Sequence, residues 1–227
     1  MRAEKSSIEG LEILLVGGAG GLGSAAARLL ESEGARVVIS SRHQGLRADM
    51  TKADDRKRLL DAVPKLYGLV VFAGNPARGA AEEAMRISHE VNYEGPILLA
   101  REAAERMKSS GTQGAIVLFS TMQAVALFPG STAYAGAKAA LLHAARILAK
   151  ECRGAANIRV NVIAPGVMAA GMAEASIASG KYERYITEGA IPRYGKAADV
   201  ARAVRFLLEP DNYITGQVLS VDGGMTL

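Results

Sequence analysis

Tyr134 and Lys138 lie four residues apart in Tyr134-Ala135-Gly136-Ala137-Lys138, with Leu141, Leu142, Ala145, Ile147 and Leu148 following at helical spacing. On an α-helix, positions i and i+4 share one face, so the phenol and the ammonium project into the same space. A free tyrosine titrates near about 10, too high for acid–base work at neutral pH. A lysine charge beside it favours the phenolate and lowers that value. The expected product is a proton donor and acceptor suited to carbonyl/alcohol chemistry.

A second constellation lies near the N-terminus. An apolar run at 11–16 leads straight into Gly17-Gly18-Ala19-Gly20-Gly21-Leu22-Gly23. Gly18, Gly20 and Gly23 spell GxGxxG; Gly17, Gly21 and Gly23 spell GxxxGxG. In either register, glycines allow a tight turn and close approach of backbone to a pyrophosphate at the N-terminus of the next helix. The cofactor preference is read at the end of the second apolar run. Dinucleotide-binding proteins that take NAD carry an acidic residue there. This chain has Ser40-Ser41-Arg42 instead, and an arginine beside a hydroxyl suits a ribose 2′-phosphate. NADP(H) is therefore the preferred cofactor, with NAD(H) possible.

The elements that must position these groups alternate along the chain. Strands are expected at 11–16, 36–40, 69–73, 115–120, 159–164 and 217–221. Helices are expected at 24–32, 54–63, 80–110 (one long pattern with a break), 133–152 and 199–208. Apolar strands separated by helices indicate a parallel sheet covered on both faces. The fold class is α/β, a single doubly wound Rossmann-type domain over 1–227. Between Ser41 and Asp49 there is no room for the usual crossover helix. That helix is expected to be short or missing, and the third strand, near 46–48, short or irregular.

Composition removes several alternatives. Twenty-five glycines and 49% apolar residues over 227 positions fit one turn-rich α/β domain. The formal charge of +4 is scattered, with no basic run, so no nucleic-acid partner is expected. The polar first ten residues hold no signal-peptide core, and no apolar run is long enough to span a bilayer. The protein is expected in the cytoplasm, without a membrane partner. Cys152 is the single cysteine and is read as a buried thiol. His43, His89 and His143 follow no metal-ligand spacing, and no metal site is expected. There is no GxSxG elbow and no Walker loop. A methyltransferase rests on GxGxxG alone and is opposed by Arg42 and the Tyr–Lys helix.

With these features in order, the chain resembles a classical short-chain dehydrogenase/reductase over nearly its whole length. The landmarks are the glycine loop, Ala73-Gly74, Asn92 within Val91-Asn92-Tyr93-Glu94-Gly95, Ser120-Thr121, and Phe128-Pro129-Gly130. They continue with Tyr134 and Lys138, Asn161 through Pro165-Gly166, Thr215-Gly216-Gln217, and Val221-Asp222-Gly223-Gly224. The resemblance implies that Tyr134 donates a proton to a carbonyl oxygen as hydride arrives from the nicotinamide. It implies that Lys138 lowers the tyrosine pKa and binds the nicotinamide ribose, and that Asn92 holds a relay water. It places a carbonyl-polarising hydroxyl thirteen residues before the tyrosine, at Thr121, with Ser120 as the substitute. Cofactor contacts are implied at Gly17, Gly21, Leu22, Gly23, Ser41, Arg42, Asp49, Ala73, Gly74, Tyr134, Lys138, Pro165, Gly166 and Val167.

The segment 168–191 matches a mobile substrate lid, with Met168, Met172, Ile177, Tyr182, Tyr185 and Ile186 for an apolar carbonyl compound or alcohol and Gly171, Gly180 and Gly189 as hinges. A homo-oligomer, tetramer or dimer, is implied through the tyrosine-bearing helix and the C-terminal segment. Three departures temper the match. Val16 stands where threonine is usual, Val71-Phe72 replaces two asparagines, and Ala170 replaces a cofactor-binding threonine. They leave a non-catalytic nucleotide-binding regulator on the same fold as the alternative function.

Overall fold

The computed structural model describes residues 7–76 and 81–227. The strand that leads into the glycine loop, β1 (Glu12–Val16), is the third strand of a seven-stranded sheet. Its companions are β2 (Arg36–Ser41), β3 (Leu46–Arg47), β4 (Leu66–Val71), β5 (Gly114–Phe119), β6 (Ile158–Pro165) and β7 (Val218–Val221). The order is β3-β2-β1-β4-β5-β6-β7, and every pairing is parallel.

Alternate side chains of each strand face opposite sides of the sheet. Ile13 and Leu15 pack with α1 (Gly21–Ser32) and α8 (Ala197–Leu207) on one side. Leu14 and Val16 pack with α2 (Ala53–Asp61), α4 (Gly95–Ser109) and α5 (Thr132–Glu151) on the other. Both faces are therefore covered, which is why β4 and β5 are buried at all six positions rather than alternating.

The connection from β2 to β3 is a turn with no helix, and β3 has two residues. Gly45 adopts φ +67 in that turn, and a Cβ there would collide with the Ile39 carbonyl. Strand β4 begins at Leu66, three residues before the expected start. Gly68 interrupts its apolar pattern because the side chains of Ile13 and Leu208 fill the space a Cβ would need, at 3.1 and 3.2 Å. The long helical pattern is α3 (Glu82–His89), a π-helical turn (Glu90–Glu94) and α4 in sequence. The start expected at Ala80 falls outside the described residues, as do the first six residues of the polar N-terminus. The segment 168–191 forms a 3₁₀ turn (Gly171–Ala173) and two short helices, α6 (Glu174–Ala178) and α7 (Glu183–Thr187). Cys152 is buried at the end of α5. Among the described residues no helix is long and apolar enough to cross a membrane, and no His, Cys, Asp and Glu cluster could hold a metal ion.

Candidate functional site

A cavity of about 610 Å³ opens along the carboxyl ends of the strands, where α/β sheets hold their ligands. At one end are Arg42 and Asp49, after β2 and β3. At the other are Tyr134, Met172 and Tyr182. Strands β2 and β5 are three spacings apart in the sheet order, roughly 14 Å, so the site is elongated across the sheet.

The glycine loop forms its floor. Gly17 has φ +79, and a Cβ on it would lie 2.6 Å from the Ala73 nitrogen. Gly23 is held against Gly18, where a Cβ would come within 2.5 Å of Cα. The loop turns through Gly20 N–H donating to the Gly17 carbonyl at 3.2 Å, and α1 starts with Ser24 N–H donating to Gly20 at 2.8 Å. The amides of Gly21, Leu22 and Gly23 carry no protein hydrogen bond among the described residues. Three free donors at a helix N-terminus, on a surface stripped of side chains, form an anion cradle that fits a dinucleotide pyrophosphate.

Arg42 is exposed and lines the cavity without an ion-pair partner among the described residues. The Ser41 hydroxyl does not stand beside it as a free donor. It donates to the Gln44 carbonyl at 2.8 Å and accepts from the amides of His43 and Gln44 at 3.2 and 2.7 Å. Its one proton and two lone pairs are spent on the turn that replaces the missing helix. His43, not anticipated from sequence, lines the same end. Asp49 accepts from the Thr51 amide and hydroxyl at 3.0 and 2.8 Å. Its loop is held from behind by buried Arg56, which donates to the carbonyls of Met50 and Thr51 at 3.1 and 3.3 Å and pairs with Glu102 at 2.9 Å.

At the chemical end, Tyr134 and Lys138 both project from α5 into the cavity, as their spacing requires. Thr121 lies close enough to Tyr134 to favour its ionised form, but burial outweighs it and pushes the phenol up to about 12. Burial brings Lys138 down to about 7. The lysine therefore does not depress the tyrosine as its sequence position suggested. Desolvation penalises both charged forms, and the Lys138 Nζ donates instead to the Phe119 carbonyl at 2.7 Å. Ser120 turns the other way and donates to the Lys138 carbonyl at 3.0 Å. Of the two candidate hydroxyls, Thr121 is the one near enough to act on the phenol.

Asn92 is fully buried in the π-helical turn and does not line the cavity. Its Oδ1 accepts from the Asn75 amide at 2.8 Å; its Nδ2 donates to the Asn75 carbonyl at 2.8 Å and to Ser88 at 3.1 Å. The side chain is thus a clamp on the chain leaving β4, with both amide protons spent and no donor left for a water. Ser88, which sequence did not single out, extends the clamp to the Ala133 carbonyl at 3.0 Å.

Ala73, Gly74, Pro165, Gly166 and Val167 all line the cavity between its two ends. Phe72, in one of the departing positions, faces Phe119 with ring centroids 4.5 Å apart, so an aromatic pair occupies the place of the missing amide. Ala170 sits over the glycine loop, 3.2 Å from where a Gly21 Cβ would be. The residues expected in the 168–191 segment divide. Tyr182 is buried with Met122, Val167, Ile191 and Met225, whereas Met172 is 53% exposed at the cavity edge. Gly171, Gly180 and Gly189 all have positive φ, between 66° and 73°.

The family model described as enoyl-(acyl carrier protein) reductase matches residues 17–226. Carbonyl reductase family member 4 of Danio rerio is 35% identical, over 94% of this chain and 97% of its own length. Dehydrogenase/reductase SDR family member 4 of Homo sapiens is 32% identical, over 90% of this chain and 83% of its own. Among solved structures, the NADPH-dependent 3-quinuclidinone reductase of Rhodotorula rubra superposes with a TM-score of 0.86 at 25% identity, over 97% of this chain and 93% of that one.

Proposed function

The chain belongs to the short-chain dehydrogenase/reductase family, and within it we propose an NADP(H)-dependent oxidoreductase that interconverts a carbonyl compound and its alcohol, with Tyr134 as the acid/base group. The observation that carries this reading is that Tyr134 and Thr121 line the same cavity as the free amides of Gly21, Leu22 and Gly23. Those amides would hold the pyrophosphate, and Arg42 the 2′-phosphate.

When bound, the nicotinamide supplies or accepts the hydride. At neutral pH the Tyr134 phenol keeps its proton, since burial sets it near 12, and it donates that proton to the carbonyl oxygen in the reductive direction. The Thr121 hydroxyl is a second donor to the same oxygen, polarising the carbonyl. Lys138 reaches the cavity from the same helix and would hold the nicotinamide ribose. Asn92 acts as a positioning residue, fixing the chain at Asn75 just after Gly74.

The relatives support reductase chemistry, and none of those named above favours a regulator. The segment 168–191 would serve as the substrate lid. We further assign a cytoplasmic homo-oligomer, tetramer or dimer. Ile147 on α5 and Phe206 on α8 are apolar and about half exposed, at 47% and 46%, which suits association through these helices.

Titration with NADPH and NADH in parallel tests the cofactor reading. NADPH is expected to bind at least tenfold more tightly, and Arg42→Ala to abolish that preference. Equal affinities in the parent protein would refute it. For the chemistry, Tyr134→Phe is expected to bind NADPH normally and to lose carbonyl reduction.

A further inference from the structure

Lys181, at the start of the turn into α7, lines the cavity on its chemical side. Its Nζ lies 5.5 Å from the centroid of the Tyr182 ring, within the range of a cation–π contact. Tyr182 is itself only 8% exposed, and it lies close enough to Tyr134 to act on its ionisation. The ammonium, the Tyr182 ring and the Tyr134 phenol thus line one cavity. Among the described residues, Lys181 has no carboxylate within ion-pair distance, whereas Arg86, Arg193 and Arg202 are each paired.

A second donor faces the same space. The Oε1 of Gln123 accepts from Ser131, and its Nε2 has no acceptor among the described residues. Around these two donors the lining is apolar, with Met122, Phe128 and Met172. Asp49 is the only carboxylate among the described residues that line the cavity. It sits at the far edge of the sheet with one oxygen already held by Thr51. The chemical half of the cavity therefore carries a positive charge and an amide donor, with no carboxylate among its described lining residues.

We propose that the substrate is an oxo acid, or the corresponding hydroxy acid, whose carboxylate is recognised by Lys181 and Gln123 while its carbonyl meets Tyr134 and Thr121. One cation and one amide match a singly charged carboxylate; a phosphate dianion calls for a denser set of donors. This rests on the oxidoreductase reading and adds the substrate class to it.

The test compares medium-chain oxo acids with their methyl esters, in the parent protein and in Lys181→Gln. Binding is measured by calorimetry and turnover by NADPH oxidation. The acid is expected to bind about tenfold more tightly than its ester, and to be favoured to a similar extent in kcat/KM through KM. Lys181→Gln is expected to remove that acid-to-ester ratio. Equal binding of acid and ester, or a ratio unchanged in Lys181→Gln, would overturn the proposal, and turnover of the ester would then leave the oxidoreductase reading standing. Preferential acid binding lost in Lys181→Gln, without any turnover, would support the carboxylate site and overturn the oxidoreductase reading instead.

Discussion

Replacing Lys138 by methionine should stabilise the protein while abolishing its activity. The lysine is buried and its pKa falls from 10.5 to about 7 because the charge is desolvated. A folded-state pKa below the unfolded value means that the unfolded chain binds the extra proton between those limits, so stability rises with pH across that window. The penalty is full below pH 7 and gone above 10.5. Each pKa unit is worth about 1.4 kcal/mol, which puts the cost on the order of 4 kcal/mol at pH 7. Methionine removes that cost and fills a similar volume. It also strips the Phe119 carbonyl of its 2.7 Å donor, a loss of about 1–3 kcal/mol for a buried acceptor. The balance is a gain of about 1–3 kcal/mol at pH 7, or several degrees in Tm for a chain of this size. Thermal unfolding of the cofactor-free protein at pH 6, 7, 9 and 10.5 reads it directly. The gain should shrink with rising pH and change sign near the upper limit, where only the lost hydrogen bond remains. Carbonyl reduction should fall by at least about a hundredfold. A variant less stable than the parent at pH 6, with a difference insensitive to pH, would refute the reasoning.

Gly17→Ala places a Cβ 2.6 Å from the Ala73 nitrogen on a backbone at φ +79. It should cost at least about 2 kcal/mol in denaturant unfolding and remove nucleotide binding. Thr121→Ala should lower kcat about a hundredfold. Ser120→Ala loses only the bond to the Lys138 carbonyl, so it should cost less than tenfold in kcat and about 1 kcal/mol of stability; the reverse ranking would exchange their roles. Arg56→Ala leaves the carbonyls of Met50 and Thr51 without their shared donor. It should destabilise by about 2 kcal/mol and weaken NADPH binding severalfold, though Arg56 does not line the cavity, and calorimetry separates the two effects.

Groups carried by local pattern were legible in the chain itself. Tyr134 and Lys138 share a cavity because a helix places i and i+4 on one face. The glycine loop follows β1 because strand, turn and helix are contiguous in the chain. The absent helix before β3 could be seen from the few residues between Ser41 and Asp49. Even the break in the 80–110 pattern corresponds to a real feature, the π-helical turn that carries Asn92.

What the tertiary structure decided depends on partners far apart in sequence. Lys138 is held by a carbonyl of β5, Asn92 by Asn75, and Ser120 by the backbone of α5. None of these pairings has a spacing that could announce it. The direction of the Tyr134 shift could not be read locally either, since it depends on how much protein covers the phenol and the ammonium together. Gly68 obscured the start of β4 because its reason for being glycine, the side chains of Ile13 and Leu208, comes from two other elements. Nothing in the local sequence marks Lys181; its place beside Tyr182 at the cavity, with no ion-pair partner among the described residues, comes from the packing of the 168–191 segment. Short-range geometry fixes which face a side chain takes. Only long-range packing fixes what that face meets, and so which protons and charges the site holds.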